Sequence, residues 1–322
     1  MAIFEAMRWQ FTAIIILIFC SASTAQEITK KRILTFDFRL VVDNDVFTLD
    51  LTKDQYYSSG IYPGVRWLAD SGQRAKIIHT VKLNHRIYTP SWVGWNRQEQ
   101  LDRPYAGQFS ASFSNEYYFF TDRYMKLEME LGWMGPGSLV GKTQVTWHKI
   151  LGLPEPRGWD FQINDTPILN AYLTYDHPFV STPVFDILSE SNVALGTVFN
   201  FVRQEIVFRA GKKKPLHQSA YVGGTLGNVR QLRPVYPSTT ETYFFYAPGL
   251  EYVIYNASIE GNLIGKRSLY TDEAIRWVWQ HRAGLMFSWP RFDLGIIAYW
   301  RTHENRKAQN HNYVGIRLNQ RF

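Results

Sequence analysis

The chain has 322 residues, of which 16% are aromatic, a single cysteine and a formal net charge of +7, with a mean hydropathy of −0.25. One cysteine excludes a disulfide framework or a thiolate metal centre, and beyond Phe19 no run is apolar for long enough to cross a bilayer as a helix. Abundant aromatic surface at low mean hydropathy fits strands that alternate between lipid and water, with aromatic girdles at both interfaces. The positive charge, which could suggest nucleic acid in a soluble protein, then belongs to a rim facing anionic lipid phosphates or solvent, and no nucleic-acid partner is expected.

In chain order, Arg8 precedes an uncharged run from Phe11 to Phe19, followed by Ser21-Ala-Ser-Thr-Ala25. These are the flanks of a signal peptide, with cleavage expected after Ala25. Residues 1–25, Cys20 among them, form the leader, and 26–322 a single barrel domain. Alternation of apolar and polar residues then recurs in segments of strand-spanning length. The clear ones are 34–42, 57–67, 105–113, 125–133, 275–287, 292–301 and 313–322; weaker ones lie at 76–88, 168–177, 184–196, 200–210 and 243–258. In the last of all, Val314, Ile316, Leu318 and Phe322 share one face, while Gly315, Arg317, Asn319 and Arg321 share the other. That suits a closing strand with lipid on one side and a wet lumen on the other. The expectation is an all-β transmembrane antiparallel barrel of about twelve strands in a bacterial outer membrane, both termini periplasmic. In strand five Met129 is to face lipid and Glu130 the lumen; in strand two Ser58 is to face the lumen.

With that orientation the connections 43–55, 89–103, 135–167, 197–199, 259–273 and 303–310 face outward. The longest, 135–167, carries a helix signal: Ser138 as N-cap, Leu139 to Leu151 without proline, then Gly152 and Pro154 as the stop. Long structured loops are usually functional. The stretch 211–242 falls on the periplasmic side and suggests no function.

Three polar clusters lie at the outer end. Asp43-Asn44-Asp45 places carboxylates close together, which suits a hard cation with oxygen ligands or equally a hydrogen-bonded turn. Gln144 and His148 lie four apart on one helix face, where a histidine can act as general base or simply sit on the surface. Asp54-Gln-Tyr-Tyr-Ser58-Ser-Gly60 offers the Ser58 hydroxyl, without the Gly-x-Ser-x-Gly of a nucleophile elbow.

Taken with Asp102-Arg-Pro-Tyr-Ala-Gly107, Gly135-Pro-Gly-Ser138, Gly158-Trp-Asp-Phe-Gln162 and Arg301-Thr-His-Glu304, these motifs resemble, in order and across the whole mature chain, the outer-membrane lipid A 3′-O-deacylase family. The resemblance implies a Ca²⁺-dependent esterase acting on the 3′-linked acyloxyacyl group of lipid A, with its site between barrel wall and outer helix. It implies His148 as base with Gln144 beside it, Asn44 and Asp45 (with Asp43) at the cation, and Ser58 where the family has threonine. Lipid A in the outer leaflet is then the partner and a monomer the expected state. An acidic residue after the helix does not align cleanly, Pro154 and Glu155 competing for it. A phospholipase with the same Ca²⁺ site and a passive porin-like barrel are the alternatives.

Overall fold

The structure, a computed structural model, describes residues 34–48, 54–227 and 240–322; the expected signal segment with Cys20 lies outside them. The strands are β1 (Phe36–Asn44), β2 (Tyr56–Ser71), β3 (Ala75–Thr89), β4 (Ala106–Phe119), β5 (Arg123–Met134), β6 (Thr166–Ser181), β7 (Phe185–Gly196), β8 (Phe199–Lys212), β9 (Glu241–Asn256), β10 (Trp277–Ser288), β11 (Phe292–Arg301) and β12 (His311–Arg321). Each pairs antiparallel with its chain neighbours, and β12 returns to β1, from Asp37 opposite Arg321 to Asn44 opposite Val314. Closure leaves no strand edge unpaired, the condition for backbone in hydrocarbon. No helix among the described residues is long and apolar enough to cross a membrane; the strands, closed into a barrel, have the length and pairing that spanning requires.

The period-two pattern sets the two faces. Met129 is 50% exposed and Glu130 is fully buried, as the alternation predicts. Leu127, Leu131 and Trp133 share the outward face of β5, as Val81 and Leu83 do on β3 and Phe109 and Phe113 on β4. Inside, charges are buried in pairs, because an unpartnered ion at low dielectric is costly. Arg66 binds Asp37 at 3.0 Å and Glu116 at 3.1 Å. Arg86, Asn84, Gln108 and Ser110 all converge on one oxygen of Glu130.

One end carries short turns after β2, β4, β6 and β10, and the other carries the long loops, which identifies the periplasmic and outer ends. The exception at the periplasmic end is the β8–β9 connection, whose described part, 213–227, folds into the lumen. Leu216, Ala220, Tyr221, Val222 and Leu226 pack against Ile78, Leu188, Val207, Phe245 and Met286 from the wall. Side chains of the wall hold its backbone carbonyls: Arg317 that of Tyr221 at 2.7 Å, Tyr118 that of Val222 at 2.9 Å, Arg66 that of Gly223 at 2.8 Å and Lys76 that of Leu226 at 2.7 Å. The segment without a sequence reading is therefore a plug. Above it remains a cavity of about 360 Å³ lined by charged side chains such as Lys82, Glu128, Arg203 and Arg282.

Candidate functional site

The outer loop after β5 turns through Pro136–Ser138 and forms helix α1, Val140–Leu151. The sequence expects the helix to begin at Leu139 with Ser138 as its cap. Instead Leu139 is the flanking residue, at φ 61°, and the helix begins at Val140. Ser138 still accepts the Val140 N–H at 3.3 Å, but from within the preceding turn, where its hydroxyl also donates to the Gly135 carbonyl at 2.6 Å. Gly152, at φ 66°, ends the helix as predicted, its N–H returning to the His148 carbonyl.

α1 lies against the outside of the barrel. The Thr143 hydroxyl meets His85 Nε2 at 3.0 Å, and His85 belongs to the outward row of β3. Gly107, on the outward row of β4, has no side chain because Val140 fills the space: a Cβ there would stand 2.7 Å from the Val140 Cβ. Of the helix, Val140, Gln144 and His148 are buried. Four residues apart, the last two turn toward the start of β2.

What they meet there is Asp54. His148 Nε2 is 2.9 Å from Asp54 Oδ2, and Gln144 Nε2 donates to Oδ2 at 3.1 Å and Oδ1 at 3.3 Å. The Ser58 hydroxyl donates to Oδ1 as well. Ser58 is thus brought into the cluster, but not from the lumen as its place in the alternation suggested. The β2–β3 register shifts between Tyr57 and Ser59; this bulge turns Tyr57 inward, onto Asp43 at 2.9 Å, and leaves Ser58 on the helix side. The preceding Tyr56 adopts φ 57°, rare for a bulky residue. It is pinned by its hydroxyl, which donates to Asp102 at 3.0 Å and accepts the Gln309 N–H at 2.8 Å.

The remaining contacts fix the two helix residues. Trp159 Nε1 donates to Gln144 Oε1 at 2.9 Å, which sets the amide with its NH₂ toward Asp54. The His148 Nδ1 lies 2.6 Å from the Pro154 carbonyl; a carbonyl only accepts, so Nδ1 carries a proton and Nε2 is the atom whose state can change. Glu155 points away and pairs with Arg157 at 3.3 Å, both exposed. Burial alone lowers the His148 pKa, but the hydrogen bond and charge of Asp54, with the Pro154 carbonyl, outweigh it and hold the imidazole above its ordinary value.

The Asp43-Asn44-Asp45 cluster is divided by the wall. Asp43 faces inward, and the charged groups around it are Arg317 and Arg86. Asn44 accepts the Val46 N–H at 2.8 Å through its side-chain oxygen. Asp45 lies beside Ser58, donating its N–H to the Ser58 carbonyl at 3.2 Å. One carboxylate oxygen of Asp45 accepts the Gln55 N–H at 2.7 Å, whereas Oδ1 is buried with no partner among the described residues. Burial and then the negative charge of Asp54 push its pKa well above the carboxylate range. Such an oxygen beside a second carboxylate fits a hard cation, which Asp45 would hold with Asn44 next to it; Asp43 Oδ1 is likewise unpartnered among the described residues, but it lies inside the wall, where the nearby charges are those of Arg317 and Arg86.

Asp54 and Trp159 lie within the sequence motifs, but nothing in the pattern marks either as a site residue. Asp54 heads the segment that contains Ser58, and its carboxylate is what gathers Ser58, Gln144 and His148. Other motifs are scaffold: Arg103 and Arg301 both bind Glu304, at 3.3 and 3.0 Å, tying the loop before β4 to the one after β11.

The family model described as outer membrane protein LpxR matches residues 11–322, and no curated protein matches the chain. Among solved structures, LpxR from Salmonella typhimurium has a TM-score of 0.69 at 16% identity, covering 89% of this chain and 100% of that one. The beta domain of the Bordetella autotransporter Brka follows with a TM-score of 0.45 at 9% identity, covering 90% and 100%, a likeness too loose to bear on the site. At such identities the superposition speaks for the barrel fold alone. The family match extends over nearly the whole chain and through every motif of the cluster, so this outer-membrane barrel belongs to the LpxR outer membrane protein family.

Proposed function

We propose that the protein is a lipid A esterase, a monomer in the outer membrane that removes the 3′-linked acyloxyacyl group by attack of a water activated by His148. The observation that carries this reading is the convergence of His148, Gln144 and Ser58 on Asp54, outside the wall and beside Asp45, whose Oδ1 has no partner among the described residues. A site on the outer flank meets a lipid ester from the membrane side, which a pore does not need.

In this reading the Pro154 carbonyl keeps the imidazole proton on Nδ1, leaving Nε2 to take the proton of the attacking water. Asp54 beside Nε2 stabilises the imidazolium that results and keeps the ring turned toward the reacting centre. Gln144, fixed by Trp159, and the Ser58 hydroxyl are donors placed next to the same point. Asp45, with Asn44, would hold Ca²⁺, which when bound would supply positive charge for the ester carbonyl and the developing oxyanion. The released hydroxy group stays with the sugar and the acid with the acyl chain.

Mass spectrometry of lipid A from cells expressing the protein tests the reading. Loss of the acyloxyacyl mass is expected with the wild type and not with His148→Ala, whose activity should fall by roughly two to four powers of ten while the barrel stays heat-modifiable. Lysophospholipid with unchanged lipid A would make the protein a phospholipase instead. Full activity in folded His148→Ala would remove the histidine from the mechanism.

A further inference from the structure

The side of α1 that touches the wall is also its bare apolar side. Thr143 reaches His85 on β3; one turn on is Trp147, 57% exposed, and the next is Ile150, 67% exposed. Residues 143, 147 and 150 follow the helical repeat, so they form one stripe. The wall beside it is the top of the lipid-facing belt: His85 stands opposite Phe109, and Phe109 opposite Trp133, both aromatic rings being exposed. Lys142 and Lys149, also exposed, flank the stripe on the side away from Val140 and Gln144. A short helix with an exposed apolar stripe, an aromatic residue in it and lysines at its border has the composition of a helix lying in a membrane interface.

We propose that α1 is an interfacial helix, with Trp147 and Ile150 seated among the acyl chains of the outer leaflet beside β3 and β4, and Lys142 and Lys149 at the level of the lipid phosphates. The stripe continues a surface that already faces lipid, so acyl chains are its occupant rather than a protein partner. Its consequence for the chemistry rests on the esterase reading: the neighbouring buried face, with Gln144 and His148, is then held at the depth of the lipid ester linkages.

The test uses the full chain folded into phosphatidylcholine vesicles whose acyl chains are brominated near the glycerol end, compared with unbrominated vesicles. Subtracting the tryptophan emission of Trp147→Phe from that of the wild type isolates Trp147. That component is expected to be blue-shifted and largely lost in the brominated vesicles. In parallel, Ile150→Cys carrying an environment-sensitive fluorophore should report an apolar surrounding in vesicles and a polar one when the chain is unfolded in urea without lipid. Equal Trp147 emission in both vesicle types, or an Ile150 label that reports water in vesicles, overturns the proposal. Neither readout requires catalysis. Quenching together with unchanged lipid A in expressing cells would leave the membrane seat standing and remove the esterase, and lipid A deacylation without quenching would do the reverse.

Discussion

Asp54 and Asp45 are carboxylates at the same rim, yet their surroundings give them different tasks. Asp54 is saturated with donors from Ser58, Gln144 and His148, so it positions side chains. Asn in its place keeps a hydrogen-bonding shape but removes the charge that raises the His148 pKa. The sign follows: a raised pKa keeps His148 protonated to higher pH, and the neutral, base-competent form grows as pH rises through that value. In Asp54→Asn burial is left unopposed by that charge, so the acidic limb of the pH–rate profile should move to lower pH, with activity at the plateau reduced about ten- to a hundredfold. An unshifted acidic limb would separate Asp54 from the titration. Asp45, by contrast, has an oxygen without a partner among the described residues and an anion beside it. Asp45→Asn should raise the Ca²⁺ concentration needed for half-maximal hydrolysis by about tenfold or more, since affinity follows ligand charge. Asp43→Asn, across the wall among arginines, should leave it unchanged; equal effects of the two would contradict the division of the cluster.

At the scale of elements, what the sequence made legible was whatever repeats. All the strands were visible because period-two alternation is imposed residue after residue by lipid on one side and water on the other, and β5 keeps that alternation throughout, Met129 outside and Glu130 inside. The helix was visible through its stop at Gly152. What broke the pattern was lost. The bulge at Ser58 inserts one residue and reverses the face assigned to Tyr57 and Ser58, and no periodicity announces it. The start of α1 moved by one residue because a tight turn, not the cap alone, sets where the helix can begin. The plug was unreadable because its partners, Arg66, Lys76, Tyr118 and Arg317, are far away in sequence and bind its backbone rather than its side chains. At the site, His148 and Gln144 were legible as a helical pair, whereas Asp54 carries no pattern of its own; only the fold brings its carboxylate to α1. The uncertain acidic position after the helix has a physical answer as well: the group that His148 meets there is the Pro154 carbonyl, which any residue can supply.

At the scale of the molecule, the interior and the exterior have separate roles. The outer flank carries the cluster of Asp45, Asp54, Gln144 and His148, while the lumen is occupied by paired charges and, at its periplasmic end, by 213–227. That segment is held by apolar packing and by four wall side chains on its carbonyls, so opening it means giving up several buried hydrogen bonds to charged donors at once, each worth roughly 1.5–3 kcal/mol. A barrel so closed should not conduct, and this separates it from a porin of the same strand number. The prediction is that the wild-type protein in planar bilayers shows no steady ion conductance. A variant in which residues 215–238 are replaced by a short Gly-Ser turn should conduct, because the cavity above the plug is lined by charged side chains and Arg66 keeps Asp37 and Glu116 as partners when the plug is gone. Lipid hydrolysis by that variant should persist, since the cluster lies outside the wall at the other end of the strands. Steady conductance by the wild type, or a sealed barrel in the folded deletion variant, would show that 213–227 is not what closes the lumen.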